Sequence, residues 1–374
     1  MQNGNYGRIN ILNYCHLEKY YNGKKVFLTG HTGFKGSWML YWLSMLGADV
    51  KGYALEPKYS VNLFDSIDGS NICESIIADI QDKEKLKKEI IDFQPDFIFH
   101  LAAQPLVRFS YEIPVETFSV NAMGTVNVLD AIRTLEKQCS VVLITTDKVY
   151  ENDESGERYK ETNRLGGYDP YSASKACAEI IISSYRNSFF NVNDYSNHKK
   201  SIASARAGNV IGGSDWAKDR IIPDIIKSLQ ENKPILVRNP NSTRPWQHVL
   251  EPLGGYLHLG TKMTDDAGKF SDSWNFGPNK EDDLTVEQLV KKAIGFWGKG
   301  VYESANIINQ PHEANLLKLD ITKANEYLKW KPKMNAIESI HLTIDWYKRY
   351  YEKDSASYLM KEQLEGNLEL DGIT

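Results

Sequence analysis

Two short stretches of the chain hold side chains that could do chemistry together. In YSASK, Tyr171 and Lys175 stand four residues apart, the spacing that puts two side chains on one face of a helix. A tyrosine phenol, with a pKa of about 10, is a poor base at neutral pH. A nearby ammonium favours the phenolate. Such a pair can take the proton of an alcohol while hydride leaves its carbon. The second stretch is LITTDKVYEN, residues 143–152, where an apolar run ends in Thr145-Thr146-Asp147-Lys148. Buried charges are rare unless paired or used. An acid beside an amine at the end of a strand is either a proton-transfer device or an ordinary ion pair.

These side chains act only if a scaffold brings them to one place. Ahead of them, GHTGFKG sets Gly30, Gly33 and Gly36 between the strand-like KKVFLTG and the helical SWMLYWLSMLGA (37–48). Glycines let backbone amides approach a pyrophosphate, and a helix N-terminus adds positive potential. The spacing is G-x-x-G-x-x-G. The strand before it and the helix after it favour a dinucleotide loop over an ordinary turn. Glu56, twenty residues past Gly36, falls where a ribose-binding acid is expected, just past a second strand at 49–55. Lys58 would suit a 2′-phosphate, so NAD is preferred over NADP without being fixed. Further strands are expected at 96–103 and 139–146, and helices at 86–94, 117–137 and 171–186. This alternation predicts an α/β fold, a Rossmann-type doubly wound parallel sheet with a smaller C-terminal α/β substrate domain. The expected division is an extension over 1–23, a dinucleotide-binding domain over 24–210, a substrate domain over 211–350 interleaved with it, and a polar tail over 351–374.

Composition narrows the function classes. The 374 residues are 41% hydrophobic and carry a formal net charge of -5, so a sizeable core is affordable and no basic stripe argues for nucleic acid. Cys15, Cys73, Cys139 and Cys177 are scattered with no C-x-x-C pair. That speaks against a zinc site or disulfide framework and fits a reducing cytoplasm. No apolar run suffices for a membrane span, and the N-terminus lacks a signal-peptide core. His31, His100 and His248 are expected to be packed or hydrogen-bonded. PHEAN (311–315) lacks the second histidine of H-E-x-x-H, so no metal is expected.

The ordered motifs GHTGFKG, HLAAQ (100–104), NAMGT (121–125), LITTD, YSASK and RAGNVIG (206–212) resemble the extended short-chain dehydrogenase/reductase family over about the first two-thirds of the chain. The resemblance implies NAD held by Gly30, Thr32, Gly33, Phe34, Lys35 and Gly36 of the loop. Glu56 would take the ribose, with Asp79 and Ile80 at the adenine. Leu101, Ala102, Ala103, Gln104, Asn121, Tyr171 and Lys175 would complete the cofactor site. Tyr171 and Lys175 match the family's catalytic pair, and Thr146 its catalytic hydroxyl.

Within the family, TTDKVYEN, GGYDPYSASK, RAGNVIGGSDWAKDR and RNPNSTRPWQHV look most like the sugar-nucleotide 4,6-dehydratases, in particular those acting on CDP-glucose. That likeness implies oxidation at C4, loss of water across C5–C6 and return of hydride to C6, with NAD held tightly. Relatives acting on dTDP-glucose carry Thr-Asp-Glu where this chain has Thr146-Asp147-Lys148. Asp147 would be the acid for the departing hydroxyl if burial raises its pKa. Lys148 has two roles open: a desolvated amine near Lys175, lowered in pKa and acting as the C5 base, which is preferred, or an ammonium that stabilises the enolate. A plain ion pair with Asp147 is the third reading.

At the substrate end, Arg238 and Arg244 suit a diphosphate. The resemblance adds Asn209 to it, Arg108 to the sugar, and Arg220 with Trp216 to the nucleotide-binding segment. Trp216 either stacks on the base or packs in the core. His312, beside Glu313, falls in the substrate half. The helices at 117–137 and 171–186 would pair with copies of themselves in a homodimer or dimer of dimers. A 4-epimerase on the same scaffold, which has no need of an acid at 147, and a non-catalytic dinucleotide sensor are the alternatives.

Overall fold

Short runs rich in β-branched and aromatic residues build the central sheet. The computed structural model describes residues 11–304 and 316–370. Seven strands are β1 (Lys25–Thr29), β2 (Asp49–Ala54), β3 (Glu74–Ile77), β4 (Phe97–His100), β5 (Cys139–Ile144), β6 (Lys200–Ala207) and β7 (Ser273–Phe276), in the order β3-β2-β1-β4-β5-β6-β7. Every pairing is parallel. This is the expected doubly wound sheet. β5 and β6 are buried along their whole length, because helices cover both faces. One face packs on Trp38 and Trp42 of the helix Phe34–Met45 and on Leu253 and Tyr256 of Leu250–Asp265. The other packs on Leu86 and Ile90 of Lys83–Phe93 and on Val128 and Leu129 of Gly124–Ile132. The strand order reverses between β1 and β4, which opens a crevice at the C-terminal strand ends.

β7 comes from the part of the chain expected to belong to the substrate side, so the two halves interleave. Four small strand pairs lie outside the main sheet among the described residues. Val210–Ile211 pairs with Gln247–His248, Thr243–Pro245 with Asp283–Thr285, Ile235–Val237 with Tyr302–Ser304, and Arg158–Tyr159 with Lys318–Leu319.

Two expectations need correction. The helix expected over 117–137 starts at Pro114, widens into a π-turn at Ser119–Met123 and ends at Ile132. Such turns re-aim a side chain out of the ordinary helical register. Here the side chain is Asn121, whose amide holds the loop after β4. The second correction is the tail. Residues 356–370 form a helix whose Leu359, Met360 and Leu364 are buried in the main core. These three sit at helical spacing within a polar run, and burying each is worth about 1.5–3 kcal/mol. That suffices to dock a segment whose composition reads as solvent-exposed.

Among the described residues no helix is long and apolar enough to cross a membrane, and no group of three or more His, Cys, Asp or Glu is placed to hold a metal. Cys73, Cys139 and Cys177 are free thiols.

Candidate active site

The glycine loop leads from β1 directly into the helix Phe34–Met45. Gly33 caps that helix with no side-chain bond to its amides, and the first turn carries no acid. The open N–H groups and the helix dipole suit an anion. A Cβ on Gly36 would stand 1.9 Å from the Gly30 carbonyl oxygen, and one on Gly30 would stand 2.7 Å from the Ala102 amide. Only glycine lets these backbones close up. Above them opens a cleft of about 520 Å³, lined by Gly30, Thr32, Gly33, Phe34, Lys35 and Gly36 of the loop and by Glu56, Asp79 and Ile80 past β2 and β3. Leu101, Ala102, Ala103 and Gln104 past β4 line it too, as do Tyr171 and Lys175. An anion-ready helix end, apolar walls and Glu56 fit a dinucleotide such as NAD. Gly36→Ala should therefore cost about 3 kcal/mol of stability and abolish NAD binding. Urea unfolding and calorimetric titration with NAD check both, and native-like binding would show that the loop can yield.

Tyr171 and Lys175 sit in the first turns of the helix Pro170–Ser188. Its start is set by Pro170 and by Asp169, which accepts the Ser172 amide at 2.9 Å and the Ser172 hydroxyl at 2.6 Å. Lys175 donates to the Ile144 carbonyl at 3.1 Å, and burial pushes its pKa down to about 8 against the pull of Glu179. Tyr171 also faces a second cleft, of about 350 Å³, with Thr146 and Lys148. Burial raises the Tyr171 phenol, while Lys148 and a hydrogen bond with Thr146 draw it back. Lys148 is thus the leading cation acting on the phenol, where the i,i+4 spacing pointed to Lys175.

β5 ends at Ile144, and the chain turns at Asp147–Val149, capped by Thr146. Asp147 Oδ1 accepts the Thr146 hydroxyl and the Lys148 ammonium, each at 2.9 Å. Its Oδ2 is buried with no hydrogen-bond partner, packed where a Cβ on Gly208 would come within 2.2 Å. Asp147 therefore lies directly behind the cleft wall, and Lys148 lines the cleft in front of it. Burial lowers the proton affinity of Lys148, but Asp147 and Tyr171 outweigh it and the pKa is raised. This corrects the expectation of a depressed lysine. The neighbours that decide its charge are an acid in contact and a phenol.

A second depressed amine besides Lys175, and the more strongly depressed one, is Lys35 at the junction of the two clefts. Burial, then the cations Arg220, Lys175 and Lys148, bring it down to about 7 against Asp147. It lines both clefts, whereas the sequence placed it with the cofactor alone.

The second cleft runs from Thr146 and Lys148 past Arg108, Asn209 and Arg244 to Arg238. Arg220 lines both clefts and pairs with Asp215 at 2.8 Å. Arg238 is held by Asp219 at 3.1 Å and Asp224 at 3.6 Å. Of the two readings of Trp216, the structure shows the packed one: its ring lies against the main core, edge-on to Tyr347 at 5.2 Å, its indole N–H donates to Ser214, and its open side lines the first cleft. One expected contact is displaced. Asn121 is buried behind the cofactor cleft. Its Oδ1 accepts the Gln104 amide at 2.8 Å, and its Nδ2 donates to Gln104 O and to Ser174 Oγ. That amide is spent on the scaffold. His312 lies outside the described residues.

His31, His100 and His248 are buried, and burial brings them to about 4, 3 and 3. His31 bonds Ser75 and His100 bonds Thr29. One feature went unread in the sequence: a buried Glu179–Arg206 pair at 2.7 Å beneath the site. The signal available was a third ionisable residue in step with Tyr171 and Lys175.

A family model described as GDP-mannose 4,6 dehydratase matches residues 27–343. The CDP-glucose 4,6-dehydratase of Salmonella typhimurium is 48% identical over 93% of this chain and 97% of its own. The solved dTDP-glucose 4,6-dehydratase of Bacillus anthracis, in complex with NAD, superimposes with a TM-score of 0.73 at 21% identity, covering 88% of this chain and 98% of that one. The UDP-glucose 4-epimerase of Thermotoga maritima gives a TM-score of 0.74 at 20% identity over 87% of this chain and 99% of that one. At such identities these two structures speak for the fold alone.

Proposed function

The chain belongs to the GDP-mannose 4,6 dehydratase family, among the extended short-chain dehydrogenase/reductases, and from that membership we propose that it converts CDP-D-glucose to CDP-4-dehydro-6-deoxy-D-glucose and water. The Asp147–Lys148 pair beside Tyr171 carries the reading. A dehydrogenase or a 4-epimerase needs the tyrosine; an elimination also needs a proton acceptor and a proton donor for C5 and C6. The cytidine and the sugar follow the 48% identity to a dehydratase of that substrate.

NAD, when bound, supplies the hydride acceptor for C4 and the hydride donor for C6. The chain's own residues do the rest. Tyr171 takes the C4 hydroxyl proton, and the Thr146 hydroxyl, beside the phenol, turns its proton from Asp147 to the C4 oxygen. The resulting ketone acidifies the C5 proton. The pair then serves in its charge-separated form. The Asp147 carboxylate, whose unpartnered Oδ2 turns past Lys148 from behind the cleft wall, accepts the C5 proton, and the Lys148 ammonium, in front of it, gives one to the departing C6 hydroxyl. A proton passing back across the 2.9 Å contact restores the pair, and as hydride returns to C6 the proton that Tyr171 took in the first step is passed to C5, which returns the phenol to its starting form. These roles invert the sequence-based assignment because Lys148 holds its proton more firmly than a free lysine. Arg244, Arg108 and Asn209 take the diphosphate and sugar along the cleft. The same reading includes a homodimer or dimer of dimers, through the helices that expose Val115, Met123 and Ile180.

The test supplies purified protein with CDP-, dTDP-, UDP- and GDP-glucose separately, without added reductant, and follows product mass. Loss of water from CDP-glucose alone is expected. Isomerisation at constant mass would move the protein to the epimerases.

A further inference from the structure

The face of the helix Pro170–Ser188 that carries Tyr171 and Lys175 carries Glu179 one turn further on. Glu179 is 2% exposed. Its Oε1 accepts the Thr145 hydroxyl at 2.5 Å, and its Oε2 accepts Ser204 Oγ at 2.8 Å and Arg206 Nη2 at 2.7 Å. Arg206 also donates to the Tyr150 hydroxyl at 2.7 Å and the Glu161 carbonyl at 3.2 Å, and Tyr150 donates to Asn275 Oδ1 at 2.8 Å. The network thus ties the helix to the ends of β5, β6 and β7. Glu179 and Arg206 line neither cleft, and both Glu179 oxygens, unlike Asp147 Oδ2, already accept hydrogen bonds, so substrate contact does not account for them. Stability alone is a weak account too, since an apolar pair of similar volume often replaces a buried ion pair without loss.

What lies one turn away is Lys175. The charged and titratable groups around it are Tyr171 and Glu179 on its own helix, His100 from β4 and Lys35 from the glycine-loop helix. His100 is kept neutral by burial and Lys35 is a cation or a neutral amine. Glu179 is the carboxylate of the set.

We propose that Glu179 is a positioning residue of the catalytic site: anchored by Arg206, it fixes Thr145 at the end of β5 and supplies the negative charge that keeps Lys175 an ammonium. This deepens the dehydratase reading and rests on it. The energetics agree in direction. Burial depresses Lys175 to about 8, and Glu179 is what opposes it. Burial would raise the Glu179 carboxyl, but Arg206, Thr145 and Ser204 hold it below its ordinary value.

The test uses the full chain and two variants. E179Q keeps the shape but leaves Arg206 opposite a neutral amide. E179L/R206M removes both charges together and keeps the proposal testable where E179Q does not fold. Lysine labelled with ¹³C at Cε is titrated by NMR, with the Lys175 signal assigned through K175M. The Lys175 midpoint should fall by about one pH unit or more, and the alkaline limb of kcat/KM for CDP-glucose should move down with it. A uniform loss of rate with an unmoved midpoint and an unmoved limb would overturn the proposal, because a merely structural role predicts that pattern. If the native enzyme does not turn over CDP-glucose, the functional reading fails, and the NMR midpoint still decides the role of Glu179.

Discussion

Phenylalanine at position 171 should stop the reaction at its first step. The Tyr171→Phe protein keeps the ring that is 9% exposed at the junction of the clefts, so folding, NAD binding and KM should change little. It loses the group that accepts the C4 hydroxyl proton, and general-base removal costs about 10³-fold in kcat. Single-turnover mixing with CDP-glucose should show no burst of reduced cofactor. A residual rate within about tenfold of native, well short of the general-base range, would mean that another group takes that proton. The pH dependence follows from the same environment. Burial holds the phenol above its ordinary value, and Lys148 is the strongest opposing influence. Removing the Lys148 charge should raise the phenol further and move the acidic limb of the rate profile to higher pH.

Asparagine at 147 and methionine at 148 should separate the two halves of the elimination. In both variants, with Lys148→Met assayed above its shifted acidic limb, C4 oxidation survives, so reduced cofactor accumulates and water loss falls by about 10²-fold or more. They differ in deuterated solvent. Asp147→Asn lacks the proposed acceptor of the C5 proton, so deuterium should not enter C5. Lys148→Met keeps the carboxylate and uncovers it, so deuterium should enter C5 while the C6 hydroxyl stays. The opposite pattern, exchange in Asp147→Asn and none in Lys148→Met, would restore the assignment of Asp147 as acid and Lys148 as base. The physical basis is the 2.9 Å contact between the two side chains and the raised proton affinity of the lysine. A pair in that state offers an acceptor and a donor, which is what removing a proton at C5 and a hydroxide at C6 requires.

Sequence reading reached far where one segment suffices to state the physics. Alternating apolar strands and amphipathic helices dictated the parallel sheet. Three glycines between β1 and its helix dictated an anion-ready turn. An i,i+4 pair dictated that Tyr171 and Lys175 share a helix face. Each depends on neighbours within a turn or a strand, so each is written in local spacing. The stripe of Leu359, Met360 and Leu364 was equally local; the polar residues around it hid it.

Tertiary structure alone decided what the site's charges do. Whether Lys148 is an amine or an ammonium depends on Asp147 folding back onto it and on Tyr171 and Arg244 arriving from elsewhere in the chain. Asp147 lies behind the wall because Gly208 of the loop after β6 leaves it room. Asn121 serves the scaffold because a π-turn aims it at Gln104 and Ser174. Trp216 packs on the core because Tyr347 lies against it. Spacing along the chain sets which face a residue shares, but Coulomb energy and desolvation act over a few ångströms of space, and those neighbours are fixed only when distant segments pack.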